Sequence, residues 1–180
     1  KQVFARCCGQ MGYPLAMLKS KPVQGLVQDI RALRDSGKAE LAFRQLSTLL
    51  ILLPQDIGAL ELLAELQRQR GDMPGLQKTL ETLVKLQPRN HGRYTDLATI
   101  LHQQRNLAGA ETNARQAMAL NPMNPQAHNL LGMIYSDLGM PEEAEFYYRQ
   151  VLLLHEPLSP ICINLATAYK QMGRLREAES

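Results

Sequence analysis

Four histidines are the residues of this sequence most suited to holding a metal ion or moving a proton. They are His91, His102, His128 and His155. His91 and His102 fall on similar angles of a helix but lie three turns apart, about 16 Å at the α-helical rise, so they cannot share a metal ion. His128 is predicted to be a packing residue. The spacing of the histidines therefore predicts no metal site.

Three cysteines offer little more as nucleophiles or ligands. Cys7 and Cys8 are adjacent, Cys162 lies far away, and no C-x-x-C spacing occurs, which argues against zinc and thioredoxin-type sites. Cys162 falls at a core position of its helix, where we expect a buried and inert thiol. The adjacent pair is interpreted as two small apolar residues, with a redox or lipidation site as the alternative.

Paired carboxylates could serve acid–base catalysis, and Glu61 and Glu65 lie one helical turn apart. Arg68 continues the same row, so ion pairing on a helix surface explains the spacing better. The sequence contains no nucleophile elbow, phosphate-binding loop, dinucleotide fingerprint or H-E-x-x-H motif. We therefore expect no catalytic residue and no cofactor in this chain.

The composition favours helices with an aliphatic core. Of the 180 residues 45% are hydrophobic and only 5% aromatic, and Trp is absent. A net charge of +3 is too small to indicate nucleic-acid binding. The longest aliphatic run, Leu49–Leu53, ends at Pro54, whereas a membrane span needs about 20 apolar residues. The chain starts without Met and shows no signal-peptide pattern, so a cytoplasmic location is the default expectation.

A period of 34 residues organises most of the chain. Turn glycines, prolines and small residues recur in one phase: Gly37, Gly71, Gly139 and Gly173, with Arg105 in the missing place; Pro54, Pro88 and Pro122; Ala42, Ala110, Ala144 and Ala178. The units are 23–56, 57–90, 91–124, 125–158 and a partial 159–180. Residues 1–22 fit no repeat, and we expect them to form a capping or degenerate segment. Because the last helix would normally run past Ser180, we expect a fragment of a longer protein or, as the alternative, a disordered or trimmed remainder.

Each unit shows the apolar spacing of two helices joined by a tight turn. The predicted helices are 23–35, 38–53, 57–69, 73–86, 91–104, 107–120, 125–138, 141–154, 159–172 and 175–180. The first unit departs from the pattern, because Asp29 stands where leucine is expected and Ile30 where a small residue is expected. This departure predicts a first helix that is rotated or shifted by a residue.

The repeat resembles the tetratricopeptide repeat (TPR), whose pattern is W-x2-L-G-x2-Y, then A-x3-F, then P. The fourth unit carries the resemblance through His128, Leu131, Gly132, Tyr135, Ala144 and Tyr148. The resemblance implies an all-α fold: a right-handed superhelical solenoid of stacked helix–turn–helix hairpins. It also implies that the first helix of each repeat lines a concave groove, which binds a peptide or a partner helix.

Carried over by phase, the groove of such a solenoid is expected to include side chains from every repeat, most of them polar or charged. They are Arg31, Arg34, Glu61, Glu65, Arg68, Thr95, Thr99, His102, Asn129, Met133, Asn164, Thr167 and Lys170, and the same phase adds Gln24, Val27, Ser136 and Gln171. The carboxylate clamp of chaperone-binding TPRs is absent here. Of the asparagine ladder found in the glycosyltransferase superhelix, only Asn164 is present.

We therefore expect a non-catalytic scaffold for protein partners, with nucleic acid unlikely to bind because the charge is modest. The alternative is a targeting or regulatory region of a larger sulfotransferase- or glycosyltransferase-like enzyme, since residues 124–139 resemble TPR regions that precede bacterial sulfotransferase domains. Self-association is expected at the C-terminal end, where Leu165, Ala168, Tyr169 and Leu175 would lack a cover. The basic residues 1–56 and acidic residues 125–158 indicate either an oriented, head-to-tail partner or an unselected fluctuation.

Overall fold

The structure is a computed structural model that describes residues 23–154 and 159–174, and within these residues the chain forms nine α-helices and no strand. In chain order they are α1 Val23–Asp35, α2 Ala39–Leu52, α3 Ile57–Arg70, α4 Met73–Leu86, α5 His91–Gln103, α6 Leu107–Leu120, α7 Pro125–Asp137, α8 Pro141–Leu154 and α9 Ser159–Gln171. Each begins and ends within one residue of its predicted bounds. The predicted helix 175–180 and the segment 1–22 lie outside the described residues.

Odd-numbered helices open the repeats and are called A helices here; even-numbered helices close them and are called B helices. The chain divides into two compact units, which contain α1–α4 and α5–α9. In the first unit α1 packs on α2 and α3, and α3 packs on α4. In the second unit α7 contacts both α5 and α9. The B helix α6 packs on α5 and α7, and the B helix α8 packs on α7 and α9. The all-α hairpin fold is confirmed.

Three A helices begin at a capping residue that recurs every 34 positions. Asp56 accepts a hydrogen bond from the backbone N–H of Ala59 at 2.8 Å, and Asn90 accepts one from Gly92 at 3.0 Å. Asn124 does the same for Gln126 at 3.1 Å. Each cap satisfies an N–H group that the helix itself cannot pair. The repeating proline two residues earlier is thus part of a P-x-D/N start signal.

The turn between the two helices of a repeat uses a left-handed backbone. Gly71 and Gly139 adopt φ of 69° and 72°, a region that costs residues with a Cβ about 1–2 kcal/mol. Arg105 takes the place that the period reserves for glycine and adopts φ of 62°. Its guanidinium donates to Asp137 Oδ2 at 2.9 Å, although the side chain is 74% exposed. The sequence period had marked this position, and the structure shows that the turn persists without glycine.

Small residues let the two helices of the fourth hairpin approach closely. Ala144 is fully buried, and Tyr148 is 2% exposed. A Cβ placed on Gly132 would lie 2.4 Å from Cε1 of Tyr148. The tyrosine ring therefore occupies the space that a side chain at position 132 would need.

A Glu–Arg–Tyr cluster joins successive repeats of the second unit and recurs after 34 residues. Its two copies are Glu111, Arg115 and Tyr135, and Glu145, Arg149 and Tyr169. In each, the arginine pairs with the glutamate one turn earlier on a B helix, at 2.9 Å and 3.1 Å. It also donates to the tyrosine hydroxyl of the next A helix. Each cluster is therefore a polar clasp between a B helix and the A helix that follows it.

Two expectations about the C-terminal repeat are wrong. Cys162 is exposed, not buried. In the preceding repeat the equivalent His128 is buried against Tyr147 of the B helix, with ring centroids 6.1 Å apart. Ala168 and Tyr169, which were expected to lack a cover, are 0% and 6% exposed, so the packing of α9 on α8 already covers them. Leu165 is half-buried, and Leu175 lies outside the described residues.

Candidate functional site

The first unit contains a cleft of about 520 Å³ beside α1 and the start of α3. It is lined by Gln24, Val27, Gln28, Arg31, Gln55, Asp56, Ile57 and Gly58. Three of these residues, Gln24, Val27 and Arg31, occupy positions at which the repeat phase predicts a ligand-binding face. The structure thus brings one part of the predicted face together as a concave site.

The cleft combines apolar contact area, amide groups and one available cation. Val27 is 8% exposed and Ile57 is 37% exposed, so the two form an apolar surface at the boundary of the core. Asp56 also lines the cleft, but its carboxylate is engaged with the first turn of α3. Arg31 is exposed and has no hydrogen-bond or ion-pair partner among the described residues. An acidic group of a ligand could therefore pair with Arg31 without breaking an existing contact.

The remaining predicted residues of the first unit are partly engaged with one another. Arg34 of α1 pairs with Glu65 of α3 and also donates to Asp35 at 2.9 Å. Glu65 therefore pairs with a residue of the neighbouring A helix. The sequence predicted ion pairing along its own helix, in the row that contains Arg68. Glu61 is half-buried, and Arg68 is exposed. This ion pair ties α1 to α3 along the face that continues from the cleft.

In the second unit, the predicted threonines are largely satisfied by their own helices. The hydroxyl of Thr95 donates to the carbonyl of His91 at 3.1 Å, and that of Thr99 donates to the carbonyl of Thr95 at 2.8 Å. Thr167 bonds in the same way to Ile163 at 2.8 Å. Because each hydroxyl already donates its proton to a backbone carbonyl, it can only accept a hydrogen bond from a ligand.

The other predicted residues of this unit form bridges between neighbouring A helices, each spanning 35 residues. His102 Nε2 lies 2.8 Å from Asp137 Oδ2. Asn164 donates to Asn129 Oδ1 at 3.4 Å, and farther along α7 Ser136 donates to Gln171 at 3.3 Å. The structure therefore organises α5, α7 and α9 into one ladder of polar contacts.

Two members of the predicted face stand apart from these bridges. Met133 lies next to Asn129, whose amide approaches its sulfur at 3.7 Å. Lys170 is exposed on α9. Together they give the polar face of the second unit one polarisable apolar side chain and one cation.

Asn124 is a residue that the sequence reasoning missed. Besides capping α7, its amide donates to Thr95 Oγ1 at 3.2 Å and lies 3.2 Å from His91 Nδ1. The side chain is 3% exposed, so this cap also forms a buried link to α5. The recurring P-x-D/N signal could have identified the cap, although not its contacts with the neighbouring helix.

Within residues 23–154 and 159–174, the side chains form no group of three or more His, Cys, Asp and Glu that could hold a metal ion. No helix in the same ranges has the length and apolar character needed to span a membrane. The chemistry available on both faces is hydrogen bonding, ion pairing and apolar contact. These are the means by which a protein surface recognises another chain.

Comparisons with known proteins agree with this arrangement. The tetratricopeptide repeat family model matches residues 125–155 and 159–180. A thermophilic TPR protein of Thermus thermophilus is 30% identical, over 86% of this chain and 85% of its own, with a TM-score of 0.62. The chain belongs to the tetratricopeptide repeat family. TPR repeats build scaffolds for protein interaction, and this is the class of protein to which the chain is assigned.

Two further solved structures share the TPR fold at lower identity. MamA is 21% identical with a TM-score of 0.78, over 86% of this chain and 85% of its own. A tetratricopeptide repeat protein from Parabacteroides merdae is 18% identical with a TM-score of 0.78, over 87% of this chain and 62% of its own. The comparison with curated proteins finds no match. The link to sulfotransferase TPR regions receives no support from these comparisons.

Proposed function

We propose that this TPR chain is a non-catalytic interaction module whose A-helix faces bind an extended peptide or a partner helix. The cleft of the first unit is the observation that carries the proposal. It is concave, it has apolar and polar lining, and it includes three positions that the repeat phase assigns to the ligand face. A cleft of this kind offers both contact area and orientation to a ligand.

The lining indicates which ligand chemistry the cleft favours. A carboxylate of the ligand would pair with Arg31, and an aliphatic side chain would cover Val27 and Ile57. Glutamine amides at positions 24, 28 and 55 can donate to and accept from a peptide backbone without reading its sequence. We infer that the favoured ligand is an extended segment with an acidic residue close to an aliphatic one.

The A-helix face of the second unit supports a more neutral contact. The side-chain amide of Asn164 donates one hydrogen bond to Asn129 Oδ1, and both side chains retain further donors and acceptors for a peptide backbone. Lys170 supplies a cation at the same end. A ligand that follows this face would add hydrogen bonds beside the existing bridges, without needing to break them.

Site-specific photo-crosslinking in the native host tests where the partner lies. A benzophenone amino acid at Gln28, in the cleft, should capture a protein partner, because a ligand paired with Arg31 would lie within reach. The same group at exposed Lys78 on α4 is the matched control. Capture at Lys78 and not at Gln28 would overturn the assignment of the ligand to the cleft.

Substitutions then test each face on the captured partner. Arg31→Ala should weaken binding about 5- to 30-fold, the loss expected when one charge-assisted hydrogen bond worth roughly 1–2 kcal/mol is removed. Replacing Asn129, Asn164 and Lys170 together with alanine should also weaken binding while helicity and melting temperature stay nearly unchanged. Unchanged affinity in the triple variant would remove the second unit from the binding surface.

The remaining expectations take the form of proposals. A targeting or regulatory role within a larger enzyme is tested by reading the full open reading frame for a phosphosulfate-binding domain downstream. A cytoplasmic location is tested by fractionation. Self-association through the C-terminal end is weakened as a proposal, because Ala168 and Tyr169 are already covered by α8.

A further inference from the structure

Two B helices expose large apolar side chains to solvent. On α8 Phe146 is 56% exposed and Leu153 is 78% exposed. On α2 Leu41 is 43% exposed and Ile51 is 68% exposed. Such side chains in rows on one helix face are unusual for a surface that only contacts water.

The repeat itself shows that packing does not require these residues. The positions of Phe146 and Leu153 correspond, one repeat earlier, to Thr112 and Ala119, and two repeats earlier to Lys78 and Lys85. The same positions on α2 hold Arg44 and Ile51. Intermediate repeats fold with polar or small residues there, so the apolar side chains of α8 and α2 serve some purpose other than the hairpin core.

Each exposed row forms a narrow stripe. At 100° per residue, Leu41, Arg44 and Ile51 lie within an arc of about 80° on α2. Glu142, Phe146 and Leu153 lie within about 40° on α8 and extend along roughly 17 Å of helix. We call these the α2 stripe and the α8 stripe. Both have the geometry of a face that packs against another helix.

The two stripes carry opposite charges that are free to pair. Arg44 stands in the middle of the α2 stripe, and no described residue pairs with its guanidinium. Glu142 begins the α8 stripe with Glu143 beside it, and neither has an ion-pair partner within the described part of the chain. The other charged residues on these two faces are already paired: Glu40 with Arg70 at 3.3 Å, and Arg149, which lies between Phe146 and Leu153, with Glu145 at 3.1 Å.

We propose that the chain self-associates by packing the α2 stripe of one molecule against the α8 stripe of a second copy. Apolar side chains would cover Phe146 with Leu41 or Ile51, and Arg44 would meet Glu142 and Glu143. A second copy is the occupant that the complementary charges of this one sequence favour.

This contact is heterologous, because it joins two different surfaces. A pair therefore keeps one unused α8 stripe on one molecule and one unused α2 stripe on the other, and a third copy can add. A contact of two helices over this length is smaller than a standard stable interface, so the association is weak and depends on concentration.

Sedimentation velocity on mixed variants tests the proposal. One variant carries Leu41→Ser and Ile51→Ser, and the other carries Phe146→Ser and Leu153→Ser. The unsubstituted chain should form species larger than a dimer as its concentration rises, and each variant alone should stay monomeric. An equimolar mixture should form a dimer and stop there, because only one intact pair of stripes remains. A mixture that stays monomeric while the unsubstituted chain associates would overturn the pairing of these two stripes.

Charge exchange tests whether Arg44 meets Glu142 and Glu143, and it distinguishes this contact from nonspecific apolar association. Arg44→Glu should weaken association about tenfold, and adding Glu142→Lys and Glu143→Lys to the same chain should restore it. Thr112→Lys and Ala119→Ser are the matched controls on α6 and should leave association unchanged. Circular dichroism confirms that each variant folds. An unsubstituted chain that is monomeric at every concentration, or controls that disrupt as strongly as the stripe variants, would refute the proposal.

Discussion

Gly132 of α7 faces the buried ring of Tyr148, and replacing this glycine with alanine should destabilise the second unit. A Cβ at position 132 would lie 2.4, 2.6 and 2.9 Å from three carbons of the ring. Carbon atoms in a well-packed core lie about 3.5–4 Å apart. The ring would therefore have to move by roughly 1 Å, and at 2% exposure it has no free space to enter.

Two opposing effects set the size of the loss. Overpacking a dense core costs about 1–3 kcal/mol, and three contacts below 3 Å place this substitution in the upper half of that range, at about 2–3 kcal/mol. Alanine is a better helix former than glycine in a helix interior by about 1 kcal/mol, which offsets part of that cost. We therefore expect Gly132→Ala to reduce the free energy of unfolding by about 1–2 kcal/mol, which lowers the melting temperature by roughly 4–16 °C for a unit of this size.

Urea and thermal denaturation followed by circular dichroism provide the assay. Gly58→Ala on α3 is the matched control, because a Cβ there meets its nearest atom at an ordinary 3.5 Å. The control should leave stability unchanged or raise it slightly. If Gly132→Ala is as stable as the control, then the close approach of α7 and α8 is not what restricts position 132, and the reasoning fails.

Three further results are expected. Arg105→Gly should stabilise the chain by up to about 1 kcal/mol in a thermal melt, because relief of the left-handed backbone outweighs an exposed ion pair with Asp137; a lower melting temperature would show that the ion pair dominates. The hydrogen bond from Tyr135, with help from Arg115, lowers the pKa of Glu111. The stabilisation that follows is present above the ordinary pKa of a glutamate and is lost as pH falls through the lowered one, so Glu111→Gln should flatten the acid side of the stability–pH curve; an unchanged slope would contradict this. Ala144→Leu should cost about 1–3 kcal/mol by overpacking, and an unchanged urea midpoint would mean that the helix phase is wrong.

The helices could be predicted from sequence because their boundaries depend on local chemistry that repeats. A left-handed turn and a capped helix start need particular residue types, and both recur every 34 residues. The departure in the first repeat was informative as well. Asp29, which stands where leucine is expected, is exposed, whereas Leu26, Val27 and Ile30 are buried; a rotation or shift of α1 stays a prediction.

The partners of surface side chains could not be predicted in the same way. Glu65 could pair along its own helix or across to α1, and such surface pairs differ by less than about 1 kcal/mol. The choice of Arg34 depends on how neighbouring repeats stack, which the residue spacing does not encode. Cys162 was misjudged for a related reason: burial at its position depends on the helix that covers it, not on the helix that carries it.

The cap at Asn124 makes the start of α7 depend on its neighbour. One amide side chain accepts from the first turn of α7 and donates to Thr95 of α5. Unwinding that first turn therefore breaks a contact between repeats at the same time as a contact within one. The earliest amide protons of α7 should exchange with solvent in the same opening event that separates α7 from α5. A ligand that contacts both α5 and α7 would slow this exchange. The exchange rate of these amide protons would therefore show whether a ligand occupies the A-helix face.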